Sequence, residues 1–271
     1  MPSVRRSPLV GTTVPDAGPS SDAVPPFDAA TDAHVRSIVS LGLAHGNRRA
    51  VFAKIGDSIT ESQSFFGGFG FGWYDVGTYV ELEPTISYFR VVALDTANSF
   101  NRGSVCAAGG WACSDALAGS PSALTSELDA IQPMWAIVMY GTNDMQRYDI
   151  GTFVTNLSTI LDVIEGRAVV PVLSTIPSRS DTEPYISEVP TFNDAIRSLA
   201  STRHLPLIDY NVALEPLPNH GVSPDGIHPS AYVNPADSFV ETCVLTTDGL
   251  QYGYNMRNLT ALQMLARLRG Y

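Results

Sequence analysis

Three short stretches carry residue types that together perform acyl transfer: GDSIT at 56–60, GTND at 141–144 and DGIHP at 225–229. A serine hydroxyl such as that of Ser58 is a weak nucleophile and must pass its proton to an adjacent base during attack. A neutral imidazole does this near neutral pH when its other nitrogen is held by a carboxylate. Asp225 and His228 are three residues apart, so the carboxylate can reach the ring within one turn. Pro229 disfavours helical backbone at His228 and holds it in an extended loop. Attack on an ester carbonyl places negative charge on oxygen, which preorganised donors must face. The Ser58 backbone N–H and the Asn143 side-chain amide are donors of that kind. Singly, each motif is an ordinary feature: a turn or helix cap, an Asx-turn, a loop histidine. In the order Ser, Asn, Asp, His, each placed at the end of a strand or in a nearby loop, they describe an enzyme.

The surrounding segments alternate in a way that supplies those positions. A helix is expected over about 32–43, followed by a short apolar strand at 50–55 (AVFAKI). Residues 86–94 (ISYFRVVAL) are rich in β-branched and aromatic types and read as a second strand. A helix over 114–130, broken near Pro121, leads to the apolar strand 134–140, a run suited to a parallel strand covered on both faces. Helix 150–165, strand 168–174, helix 188–203, strand 206–209 and a last helix at about 256–269 complete the pattern. Five strands alternating with helices argue for an α/β fold with a parallel sheet and helices on both faces. Such sheets bind ligands outside the carboxyl ends of their strands. GDS and GTND follow strands directly, and DGIHP comes after the last.

Composition narrows the field further. The chain has 271 residues, 44% of them hydrophobic and 16% charged, as in an ordinary globular protein. Its net charge of −11 and lack of a basic cluster exclude a nucleic-acid partner. No apolar run is long enough to read as a transmembrane segment. Lys54 is the only lysine, and no P-loop surrounds it, which removes the common nucleotide-phosphate and Schiff-base chemistries.

Taken together, the three motifs resemble the SGNH hydrolase family, the GDSL-type esterases and lipases, over roughly residues 48–270. The resemblance implies a three-layer α/β/α sandwich with a five-stranded, flavodoxin-like parallel sheet. It also implies Ser58 as nucleophile, His228 as base and then acid, and Asp225 as the group orienting His228. The oxyanion hole would comprise Ser58, Gly110 and Asn143, with no cofactor and no metal. The family's glycine block departs here, in SFNRGSVCAAGGWACSDAL. Gly110 precedes Leu117 by the family's usual seven residues, Gly109 is the second candidate, and Gly103 shapes the loop. The expected activity is hydrolysis of carboxylic esters with short acyl groups, including acetyl esters of carbohydrates. The alternatives are a lipase, lysophospholipase or thioesterase of the same fold, or a non-catalytic glycan-binding module.

Four features stand outside the motifs. Residues 1–29 have the Pro/Ser/Asp-rich composition of a tether ahead of a domain spanning 30–271, which suggests export and surface tethering, with a cytoplasmic protein the alternative. The segment 65–74 (FFGGFGFGWY) is either an aromatic wall for substrate or a loop anchored in the core. An insertion at 231–255 follows the catalytic histidine. Cys106, Cys113 and Cys243 are either buried apolar groups or supply one disulfide, Cys243 to one of the others or Cys106 to Cys113.

Overall fold

The computed structural model describes residues 22–271. The expected tether over 1–29 therefore lies largely outside the described residues. Its last part is packed down: Ala23 and Val24 are buried, and the Ala23 carbonyl accepts from the Asp209 N–H at 2.8 Å.

The chain begins with helix α1 (Ala29–Ala44), capped by Asp28, whose carboxylate accepts from the Thr31 N–H at 2.7 Å. Strand β1 (Arg48–Gly56) follows, then the short helices α2 (Ser58–Glu61) and α3 (Gly67–Phe71), and helix α4 (Glu83–Arg90). Helices α5 (Cys113–Leu117) and α6 (Ala123–Ile131) precede strand β2 (Pro133–Met139). The remainder is α7 (Ile150–Glu165), β3 (Val170–Ser174), α8 (Tyr185–Thr202), β4 (Leu207–Ile208), α9 (Tyr210–Leu214) and α10 (Gly253–Leu268).

The sheet is parallel throughout, in the order β1-β2-β3-β4. Every residue of β2 and of β3 is buried. Successive strand residues point to opposite faces, so complete burial means that helices cover both sides. Helices α6, α7 and α8 pack in succession, while α10 packs on α4 and α9. The core is rich in aromatic rings around Phe52 of β1, which meets Phe66, Phe89 and Phe100 edge-on at 5.2–5.5 Å.

The strand expected over 86–94, and with it the fifth strand of the sheet, is corrected. Residues 86–94 are not a strand: 83–90 form α4, with Pro84 in its first turn. Leu82, Ile86 and Phe89 recur at helical spacing and are buried, and that burial outweighs the strand preference of the residue types. The sheet accordingly has four strands rather than five. On the edge of β1 away from β2, one parallel bridge, Gly56 to Ala107, stands where a fifth strand would lie. Of the alternatives for the cysteines, the structure takes that of buried apolar groups. All three are free and buried, and neither disulfide arrangement forms. Burial pushes the thiols of Cys106 and Cys243 up to about 12, so they behave as small apolar groups.

Candidate active site

Ser58 enters α2 directly from the carboxyl end of β1. The turn depends on Gly56, where a side-chain carbon would stand 2.4 Å from Thr60 Oγ1 and 2.6 Å from the Met139 carbonyl. Asp57 caps α2, its carboxylate accepting from the Ile59 N–H at 3.0 Å. Arg257 on α10 supports this helix from below. Its guanidinium is buried, donates to the Ile59 carbonyl at 2.6 Å and to Thr60 Oγ1 at 2.8 Å, and lies 3.7 Å from the centre of the Phe65 ring.

The structure brings Ser58, His228 and Asp225 into one hydrogen-bonded chain. Ser58 Oγ lies 2.9 Å from His228 Nε2, and His228 Nδ1 lies 2.7 Å from Asp225 Oδ2. An ionised carboxylate only accepts, so Nδ1 carries the proton and Nε2 is left to accept from the serine hydroxyl. The other carboxylate oxygen, Oδ1, accepts from the N–H groups of Ile227 and His228, both at 2.9 Å, and from the Ser223 hydroxyl at 2.8 Å. Partial desolvation works to raise the Asp225 carboxyl. The Ile227 and His228 N–H groups, the Ser223 hydroxyl and the imidazole overcome it and hold the group well below the usual carboxylate range. Asp225 is therefore an anion across the neutral range, where His228 can serve as a base.

Asn143 follows β2, which ends level with β1: Gly56 pairs with Met139. Its Nδ2 donates to the Trp111 carbonyl at 3.0 Å, which uses one of its two N–H bonds. Asp144, buried, accepts from the Cys113 N–H at 2.9 Å and the Gly141 N–H at 3.1 Å, tying the GTND turn to the start of α5. Arg147 adds a second tie, donating to the Gly110 carbonyl at 2.6 Å and to Asp115 at 2.7 Å. The glycine turn between them faces Ser58. A side-chain carbon on Gly109 would stand 4.0 Å from Ser58 Cβ and 3.4 Å from Glu61 Oε2, while one on Gly110 would meet nothing within 4 Å. Gly110 has a φ of 77°, in the region that favours glycine. Neither the Ser58 nor the Gly110 N–H has an acceptor among the described residues.

Spacing alone gave no sign of a second clamp. Arg179, buried, grips Asp181 through Nε at 2.8 Å and Nη2 at 2.6 Å, and donates through Nη1 to the Thr142 carbonyl at 3.0 Å. The neighbouring Ser180 N–H donates to the Gly226 carbonyl at 2.9 Å. The segment 179–181 thus ties the loop before Asn143, through the Arg179 side chain, to the loop between Asp225 and His228, through the Ser180 N–H. The remaining histidines stand apart from this cluster: His34 meets Glu165 at 2.9 Å and His220 meets Glu215 at 3.4 Å. Among the described residues, no group of three acidic, cysteine or histidine side chains is placed to hold a metal.

The aromatic segment 65–74 divides in two. Phe65, Phe66 and Phe69 are fully buried, while Phe71 and Trp73 are exposed. The insertion 231–255 divides likewise, with Cys243 and Tyr254 buried and Phe239 and Val240 exposed.

A parallel α/β sheet with a serine, a histidine and a carboxylate hydrogen-bonded in sequence at its carboxyl edge is the arrangement of a serine hydrolase. More specifically, the chain belongs to the GDSL-like lipase/acylhydrolase family, whose model matches residues 55–233. The fold is shared with a GDSL-like lipase from Bacteroides thetaiotaomicron, at 13% identity over 86% of this chain and 97% of that one, TM-score 0.51. It is shared with a carbohydrate esterase of family 3 from Talaromyces cellulolyticus, at 15% identity over 79% and 97%, TM-score 0.51. A catalytic mutant of an acetylxylan esterase from Geobacillus stearothermophilus also aligns, at 14% identity over 79% and 93%, TM-score 0.50. No curated protein sequence matches the chain significantly.

Proposed function

We propose that the protein hydrolyses esters of short acyl groups, acetyl esters of carbohydrates in particular, through a Ser58–His228–Asp225 triad. The observation that carries the reading is the unbroken hydrogen-bonded chain from Ser58 Oγ through both ring nitrogens of His228 to Asp225. As Oγ attacks the ester carbonyl, its proton passes to Nε2, an Oγ–C bond forms and the carbonyl π electrons move to oxygen. Asp225 keeps its charge and stabilises the imidazolium; it does not take the proton. The oxyanion is met by the N–H groups of Ser58 and Gly110 and by the free N–H of Asn143. Gly109 leaves open the space that a side chain would fill beside Ser58. Collapse of the intermediate breaks the bond to the alcohol, which leaves with the proton from Nε2. Water then attacks the acyl-serine, its oxygen bonding to the acyl carbon as its proton passes to Nε2; collapse of this second intermediate breaks the C–Oγ bond, Nε2 returns the proton to Ser58 Oγ, and the acid is released.

The acetyl-carbohydrate preference is supported by the character of the fold's relatives, an acetylxylan esterase and a carbohydrate esterase among them. The chain's acidic charge also opposes attraction to anionic lipid surfaces. A panel of 4-nitrophenyl esters of increasing acyl length, run beside acetylated sugars, tests the reading. The expected result is a kcat/KM that is highest for acetyl and falls with chain length. A maximum at long acyl chains, with acetylated sugars untouched, would overturn it in favour of a lipase.

A further inference from the structure

The aromatic segment 65–74 and the insertion 231–255 meet along a groove outside the triad. It has a volume of about 590 Å³ and is bounded by Gln63, Phe71 and Trp73 on one side and by Phe239, Val240 and Glu241 on the other. Its most prominent side chains are apolar and in water: Trp73 is 73% exposed, Phe239 68%, Val240 60% and Phe71 47%. Exposing them costs free energy that burial elsewhere in the same segments shows the chain can avoid. Phe71 and Trp73 stack on one another with centroids 4.8 Å apart and planes 28° apart, making a broad flat platform.

The walls are held before any ligand arrives. Asn258 on α10 donates from one amide to both sides, to the Ser64 carbonyl at 2.9 Å and the Thr242 carbonyl at 2.8 Å, and accepts from the Phe66 N–H at 2.9 Å. The Asp75 N–H donates to the Cys243 carbonyl at 3.2 Å and the Leu245 N–H to the Asp75 carbonyl at 2.6 Å, which closes the floor. At Gly68, a side-chain carbon would come within 2.5 Å of the Trp73 carbonyl and 2.9 Å of Cys243 Cβ, so the absence of one lets the two segments touch.

We infer that this groove is a subsite for the main chain of a neutral polysaccharide, with Phe71 and Trp73 as the stacking platform; the inference rests on the carbohydrate-ester reading above. An aromatic face packs against the C–H face of a sugar ring, while a polar rim meets the ring's hydroxyls. The Gln63 amide and the Glu241 carboxylate supply such a rim. Glu241 accepts from Asn234 at 3.2 Å, which fixes its orientation and leaves lone pairs for hydroxyl donors. The same carboxylate and the net charge of −11 turn away a uronic acid, a phosphate or an anionic lipid headgroup. A hydrocarbon chain would bury the rings but give the Gln63 and Glu241 head groups no hydrogen bond beyond those they already make to Asn101 and Asn234, while covering them from water. Gln63 follows Ser58 by five residues, so a bound main chain lies beside the segment that presents the nucleophile.

Two measurements test the inference. The first is binding of alkali-deacetylated xylan to the Ser58→Ala protein, with and without Trp73→Ala, by isothermal titration. The second is kcat/KM of Trp73→Ala and of the parent enzyme on soluble acetylated xylan and on 4-nitrophenyl acetate. Trp73 is mostly exposed, so its replacement leaves the fold intact; the 4-nitrophenyl acetate rate serves as the check. Loss of one stacking face is expected to weaken polymer binding and polymer kcat/KM by about tenfold, with the small ester unchanged. Equal polymer binding with and without Trp73 would overturn the inference, as would preferential binding of dodecyl chains or anionic vesicles. No polymer binding by the Ser58→Ala protein, with the parent active on small acetyl esters, overturns the subsite and spares the esterase. Polymer binding without hydrolysis of any ester does the reverse.

Discussion

Replacing Arg179 by alanine separates positioning of the active site from its chemistry, because Arg179 touches neither nucleophile nor base. In the folded protein its side chain is 2% exposed and that of Asp181 17%. Removal leaves the Asp181 carboxylate and the Thr142 carbonyl without their partner in a largely water-free place. Breaking one side of a buried ion pair costs about 3–5 kcal/mol, and the partial exposure of Asp181 places this case at about 3. For a protein of this size that corresponds to a fall in Tm of roughly 6–12 °C. The catalytic effect has a separate origin. Arg179 joins the Thr142 carbonyl, one residue before Asn143, to the segment that contacts Gly226. If the two loops drift by about 1 Å, the rate falls by about 10²-fold. Assayed on 4-nitrophenyl acetate well below the melting temperature of the variant, Arg179→Ala should lose kcat with little change in KM. Arg179→Lys keeps the charge but not the two-pronged grip, so it should recover part of the stability and little of the rate. The guanidinium also holds the Asp181 carboxyl below its ordinary value of 3.8. The stability from that pair is complete above about pH 4 and is lost as the pH falls, a loss absent from Arg179→Ala. A variant with normal kcat and reduced stability would refute the positioning role. Unchanged stability would refute the clamp itself.

Three further outcomes follow from the same geometry. Asn143→Ala removes one oxyanion donor and should lower kcat by about 10²–10³-fold with little effect on KM, measured by steady-state kinetics; a change confined to KM would assign Asn143 to substrate binding. Gly109→Ala introduces a methyl group at ordinary contact distance from Ser58 and Glu61, so the protein should fold normally yet turn over acetyl esters much more slowly, and an unaltered rate would show that substrate does not use that space. Burial pushes the Asp57 carboxyl up to about 6 against the opposing Ile59 N–H, and its second oxygen has no partner among the described residues. The folded state therefore holds a proton that the unfolded chain, with an ordinary value of 3.8, has released. Stability falls as the pH rises from about 4 to 6, by about 3 kcal/mol. Urea midpoints should show that fall in the parent and not in Asp57→Asn, and parallel profiles would contradict the assignment.

The parts of the fold legible in the sequence were those where periodicity and burial agree. The apolar run at 134–140 reads as a doubly covered strand because β2 is one, and GDS and GTND could be placed because each follows such a strand immediately. In the segment 86–94 the strand preference of Ile, Tyr, Phe and Val misleads, and only the burial of Ile86 and of Phe89, the latter packed on Phe52, makes a helix the better arrangement. For Ser58, Asp225 and His228 the residue types and their order were visible, since catalysis constrains both. Arg179 and Arg257 were not, because their partners lie 37 and 198 residues away and hydrogen bonds to backbone carbonyls leave no mark on the partner's identity. The aromatic segment was visible as composition alone. Which rings enter the core and which face water depends on the insertion that packs against it, more than 160 residues later.

Ser58 as the nucleophile is tested most directly by reaction with a fluorophosphonate, followed by intact-mass measurement and peptide mapping, on the parent and on Asn143→Ala and Asp225→Asn. The expected result is one adduct per chain, on Ser58 Oγ, with labelling slowed in both variants and esterase activity lost in step with modification. Labelling at another residue, or full hydrolysis of acetyl esters by a protein already modified at Ser58, would contradict it.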